Sequence, residues 1–171
     1  MLEVAVRPRV RLNVLTLYGA LALTVAAVVH FGTYVGRPIS ASHPLFWLLH
    51  VAIFPLFIVF VLRLGAWQGE RRGAFGLKQR RLRWGALRPY FPRWVPPLVA
   101  LLFVYVLGNF FFSVLHMPTK GSRTPLTDAH MVYMVRAFSG HWLIFYTLPA
   151  LFFAFVPWNA RPPVDPTDSA L

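Results

Sequence analysis

The chain has no cysteine among its 171 residues. This absence excludes disulfide bonds, thiolate nucleophiles, cysteine-held iron–sulfur clusters and cysteine-ligated zinc sites, because each of them needs a cysteine sulfur. Any catalytic or metal-binding chemistry therefore has to come from other side chains.

Acidic residues are scarce, since five Asp and Glu stand against 17 Lys and Arg. None of the five lies in the predicted membrane spans, so a proton or sodium relay would lack its usual carboxylate. The hydrolase motifs G-x-S-x-G and H-E-x-x-H are absent as well. Ser139 and His141 lie two residues apart on a predicted helix and point to different faces. The sequence therefore favours neither transport nor hydrolysis.

Apolar residues, in contrast, make up 57% of the chain, and its mean hydropathy is +0.58. This composition is typical of a membrane protein, and four apolar runs are long enough to cross a bilayer as helices. We predict an all-α integral membrane protein, a single domain of four transmembrane helices in an up-down bundle. The predicted spans are about 14–34, 44–64, 94–115 and 137–158. Thr127 or Asp128 is a candidate cap for a longer fourth helix.

The distribution of basic residues predicts the orientation. Nine of them lie between Arg63 and Arg93 beside a single acid, Glu70, and three more precede the first span. Because basic loops stay in the cytoplasm, both termini are predicted to be cytoplasmic, in the inner membrane. Tryptophans are typical of membrane interfaces. Trp47 and Trp142 are predicted at the outer interface, and Trp94 and Trp158 at the inner one.

Segment 65–92 is predicted to be a basic cytoplasmic loop. Its stretch from Phe75 to Trp84 interleaves basic and aromatic residues, as nucleic-acid surfaces also do. A short loop beside two spans is, however, where the positive-inside rule places such charge. We therefore expect contact with anionic lipid headgroups, with an acidic partner protein as the alternative, and no nucleic-acid binding. The proline-containing tail, 159–171, is predicted to be disordered.

Polar side chains form a layer near the predicted outer face. His30 lies in the last turn of the first span, and His50 lies about 9 Å along the second. Asn109 and His141 occupy a similar depth in the third and fourth spans. The other histidines, His43, His116 and His130, fall just above them, so that all six lie on one side. A polar group in a bilayer needs a partner, so this layer is the candidate site.

Three kinds of ligand suit such a layer. Two imidazoles on different helices can hold the iron of haem b, and His50 with His141 is the preferred pair, with His30 and Asn109 as further cofactor-binding candidates. A quinol pocket is the second interpretation, in which a histidine takes the hydroxyl proton. The third is external copper, since thioether beside imidazole suits Cu(I). The candidate copper ligands are His116, Met117, His130, Met131 and Met134.

Hydrogen bonding between helices explains the same layer without a ligand. On that interpretation the chain is a small accessory or structural membrane subunit, which binds lipid and a membrane-protein partner and has no reaction of its own. A redox subunit that binds haem b or quinol is the alternative. Sequence reasoning favours the accessory role.

Overall fold

The residues that the structure describes form four long helices. The computed structural model describes residues 9–40, 42–69, 87–117 and 127–158. The helices are α1 Val14–Gly32, α2 Pro44–Gly69, α3 Val95–Leu115 and α4 Asp128–Phe155, with short 3-10 helices at Thr33–Val35 and Arg88–Tyr90. All four are long and apolar enough to cross a membrane, and no strand occurs in these segments. The all-α prediction with four candidate membrane spans is confirmed. The predicted tail 159–171, and residues 70–86 of the basic loop, lie outside this description.

Helix α4 is the central helix and packs against each of the other three. Over its apolar 18-residue stretch, α4 has a mean hydropathy of 1.4, lower than the 2.0 to 2.7 of the other three helices. Even so, 61% of this stretch is buried inside the protein, against 17% to 28% in the others. A surface that faces lipid has to be apolar, whereas a helix enclosed by other helices can carry small and polar residues. Functional side chains are therefore best sought on α4.

Hydrogen bonds connect the two ends of α4 to its neighbours. At its C-terminal end, Asn13 Nδ2 donates to the Phe153 carbonyl at 3.0 Å, and the Arg11 amide donates to the Ala154 carbonyl at 2.7 Å. These bonds satisfy carbonyls that have no partner within the helix. Towards its N-terminal end, α4 meets the last turn of α1, the C-terminal half of α3 and the first turns of α2.

Helix α4 begins nine residues before the predicted span 137–158. Its first residue is Asp128, and the Thr127 side chain accepts a bond from the His130 amide, as an N-cap residue does. The His130 ring accepts in return from the Thr127 amide, the part that Glu usually plays in a capping box. The helix ends at Phe155, three residues before the predicted end, where the Val156 backbone becomes extended.

Gly19 brings α1 close to α4. A Cβ atom at this position would lie 3.0 Å from the Ala150 Cβ atom and 3.3 Å from the Ala150 Cα atom. Ala26, on the same helix, is fully buried. Small residues let helix backbones approach, and dispersion contacts between helices then replace contacts with lipid.

We expect Gly19→Ala to be less stable than the matched variant Gly108→Ala by about 1 kcal/mol. Both gain helix propensity, but at Gly108 the new methyl group meets nothing within 4 Å, whereas at Gly19 it presses on Ala150. Thermal unfolding in detergent micelles, followed by tryptophan fluorescence, measures the difference. Equal melting temperatures for the two variants would contradict the close contact.

Candidate functional site

Two faces of α4 carry the polar layer, and they lie within one short segment of the chain. Arg136, Ser139 and Gly140 follow the i, i+3, i+4 spacing of one helix face. Phe138, His141, Trp142 and Phe145 follow the same spacing on the next face. The first face meets α1 and α3, and the second meets α2. The predicted single layer is therefore split into two separate clusters.

His30 is fully buried at the centre of the first cluster. The Ser139 hydroxyl donates to the Val135 carbonyl at 2.6 Å, so its oxygen accepts from His30 Nδ1 at 2.8 Å. His30 Nε2 then carries the lone pair and accepts from the Tyr105 hydroxyl at 2.6 Å. The imidazole is neutral in this arrangement, and both of its nitrogens are used. No nitrogen of His30 is left for an iron or a quinol.

Asn109 joins α3 to both neighbouring elements. Its Oδ1 atom accepts from the Tyr34 hydroxyl at 2.7 Å, and its Nδ2 atom donates to the Arg136 carbonyl at 2.9 Å. Gly140 makes room for this amide, because a Cβ there would lie 2.5 Å from Asn109 Nδ2. Ser113, one turn further along α3, is fully buried, and its hydroxyl has no hydrogen-bond partner among the residues described.

The guanidinium of Arg136 lies at the edge of the first cluster. Its Nη2 atom donates to the Thr33 carbonyl at 2.8 Å, and its Nε atom donates to the Thr33 hydroxyl at 3.2 Å. It also lies over the Tyr34 ring, 4.2 Å from the ring centroid. A carbonyl, a hydroxyl and an aromatic face thus surround a charge that would otherwise be costly beside lipid.

His50 and His141 form the second cluster, between α2 and α4. Their rings meet edge to face, with centroids 5.6 Å apart and an interplanar angle of 86°. The Trp142 indole donates to His50 Nδ1 at 3.3 Å. Trp47 and Phe54 flank His50, Phe145 flanks His141, and Phe138 contacts both imidazoles. The preferred pair is therefore brought together.

This arrangement does not fit a haem held between the two imidazoles. Two axial nitrogens must point at an iron from opposite sides, about 2 Å away on each side, with the porphyrin plane between them. Here the rings are in direct edge-to-face contact. An indole N–H can only donate, so His50 Nδ1 accepts and Nε2 carries the proton. The haem prediction gains no support from these positions.

The candidate copper ligands have local partners. His116 Nδ1 donates to the Phe112 carbonyl at 2.6 Å, and its ring lies 5.0 Å from the Tyr133 ring centroid. His130 Nδ1 caps α4. Across the segments described, no three or more His, Cys, Asp or Glu residues gather where a metal ion could bind. The set with Met117, Met131 and Met134 stays a prediction, and residues 118–126 between the two histidines lie outside the description.

Several residues of the clusters were missed by sequence reasoning. Trp142 is fully buried, so its assignment to the lipid interface is wrong, whereas Trp47 is 55% exposed. Tyr105, which reaches His30 from one turn below Asn109, was not among the candidate residues. Ser139 and His141 do face different neighbours, as the spacing predicted. The sequence signal that could have identified these residues is the i, i+3, i+4 spacing, which occurs twice between Arg136 and Phe145.

Comparison with known proteins finds no family, no curated protein and no solved structure that matches this chain.

Proposed function

We propose that the chain is a small accessory or structural membrane subunit. The cluster around His30 has a structural role in it. The observation that carries this proposal is that all four polar side-chain atoms of His30 and Asn109 hydrogen-bond to groups of this chain. A catalytic or ligand-binding layer would keep at least one of these atoms for its substrate. Hydrogen bonds between helices instead fix their depth and rotation.

The proposal includes the placement in the membrane. The four helices run alternately up and down across the inner membrane, with both termini and segment 65–92 in the cytoplasm. Nine basic residues between Arg63 and Arg93 support this orientation. In it, anionic headgroups contact the basic segment, and a membrane protein is the partner that the subunit supports.

A periplasm-dependent reporter fused after Leu171 is expected to be silent, because the C-terminus is placed in the cytoplasm. Alkaline phosphatase, which becomes active only after export, is a suitable reporter. A second fusion within residues 118–126, on the opposite side, should be active and serves as the control. Strong activity after Leu171 with silence at 118–126 would reverse the orientation.

The accessory role is tested by comparing stability with cellular phenotype. A deletion strain should lack a membrane complex or phenotype that the intact chain restores. Variants of the cluster, such as Asn109→Leu, should lose that phenotype only as far as they lower the amount of folded protein. A variant that keeps its melting temperature and its amount in the membrane, yet loses the phenotype, would point to a binding or catalytic site instead.

A further inference from the structure

We propose that the pair His50 and His141 binds the oxygen of a lipid-soluble quinone or quinol. This site is distinct from the His30 cluster, and it goes beyond the structural role proposed for that cluster. The inference rests on the hydrogen-bonding state of the two imidazoles, on their position in the membrane and on the rings around them.

The two imidazoles offer opposite hydrogen-bonding groups. His50 accepts at Nδ1 from Trp142, so its Nε2 atom carries a proton and is a donor. The His141 ring lies beside it, with the two ring centroids 5.6 Å apart. A neutral imidazole carries one N–H and one lone pair, so the neutral His141 ring has an acceptor nitrogen as well as a donor. The pair thus presents one N–H donor and one acceptor side by side.

In the proposed membrane placement, these groups lie below the outer membrane surface, where water is scarce. His50 is six residues past Pro44, about 9 Å along α2, and both imidazoles are half-buried. The rings beside them are exposed on the outside of the helices: Trp47 at 55%, Phe54 at 55% and Phe138 at 43%. A free donor and acceptor at this depth would lose free energy without a partner. The exposed rings open the pair to a partner from the lipid phase.

A quinone headgroup has the matching chemistry. Its carbonyl oxygen accepts from the N–H of His50, and the hydroxyl of the reduced form donates to the acceptor nitrogen of His141. Its flat ring packs against aromatic side chains such as Phe138, which contacts both imidazoles, with centroids at 6.1 Å and 5.9 Å. Both the polar atoms and the apolar surface of such a ligand would therefore find partners here.

The test is a titration of the full chain in lipid nanodiscs with decylubiquinone, which quenches the fluorescence of nearby tryptophans. Trp142 and Trp47 lie beside the pair. We expect saturable quenching, with a midpoint that rises at least about tenfold in His141→Leu and in Phe138→Leu. His141→Gln keeps a hydrogen-bonding group and should bind better than His141→Leu. The control His116→Leu should leave the midpoint unchanged, because that ring packs against Phe112 and Tyr133 on another face.

Phe138→Leu keeps both imidazoles, so it tests the site even if a histidine variant fails to fold. Quenching that never saturates in the unaltered chain, or that is identical in all the variants, reports simple partition into lipid and would overturn the proposal. Neither result would bear on the structural role of the His30 cluster, whose residues are unchanged in every variant.

Discussion

Replacing His30 with leucine is expected to lower the free energy of unfolding by about 1–3 kcal/mol, since two hydrogen bonds between helices are lost. The change also leaves the Tyr105 hydroxyl without its acceptor inside the protein. Leucine fills a similar volume, so most of the loss comes from the polar groups. The melting temperature and the urea-induced unfolding midpoint in mixed micelles both measure it.

A second substitution separates the hydrogen bonds from the packing. Tyr105→Phe in the His30→Leu background removes the stranded hydroxyl, so the double variant should recover part of the lost stability. In the unaltered chain, the same Tyr105→Phe change should be destabilising. Additive losses in the two variants would mean that His30 and Tyr105 act independently, contrary to their 2.6 Å contact.

The helices could be predicted from the sequence because long apolar runs, proline positions and caps are local signals. Pro44 begins α2 where the pattern placed it, and Thr127 caps α4. The early start of α4 shows the limit of hydropathy alone. Its first turns carry His130 and Arg136, which are too polar for a lipid-facing window, but the helix continues through them because tertiary contacts and a cap support it.

The candidate site could be predicted only in part. Depth along a helix follows from residue number, so His30 and Asn109 were expected at one level, as were His50 and His141. The rotation of each helix does not follow from its own sequence when all of its faces are apolar. The side chain that each histidine meets therefore came only from packing. His30 forms a hydrogen bond with Ser139, whereas His141 packs edge to face against His50.

Two of the external histidines accept hydrogen bonds from amides at helix N-termini, which accounts for their positions without a metal. His43 Nδ1 accepts from the Leu45 amide at 3.1 Å at the start of α2, and His130 accepts from the Thr127 amide at the start of α4. Both satisfy amide groups of a helix N-terminus that have no partner within the helix. A concentration of histidines at one end of a bundle is therefore weaker evidence for a metal than their number implies.

Gly140→Ala is expected to lower the free energy of unfolding by about 1–3 kcal/mol. The new Cβ atom would lie 2.5 Å from Asn109 Nδ2, so the amide has to move. Asn109 is held by Tyr34 and by the Arg136 carbonyl, and a shift would break at least one of these bonds. Gly108→Ala, which adds a methyl group in open space, is the matched control for the melting temperature.

A double-mutant cycle with Asn109→Ala identifies the cause of this loss. Once the amide is absent, the added methyl group at position 140 has room, and its remaining neighbour, His30 Cε1, lies at an ordinary contact distance of 3.6 Å. Gly140→Ala should then cost little in the Asn109→Ala background, giving a coupling of about 1 kcal/mol or more. The same cost in both backgrounds would mean that Gly140 acts through the backbone of α4. In that case the close approach of α3 to α4 would not depend on the Asn109 amide.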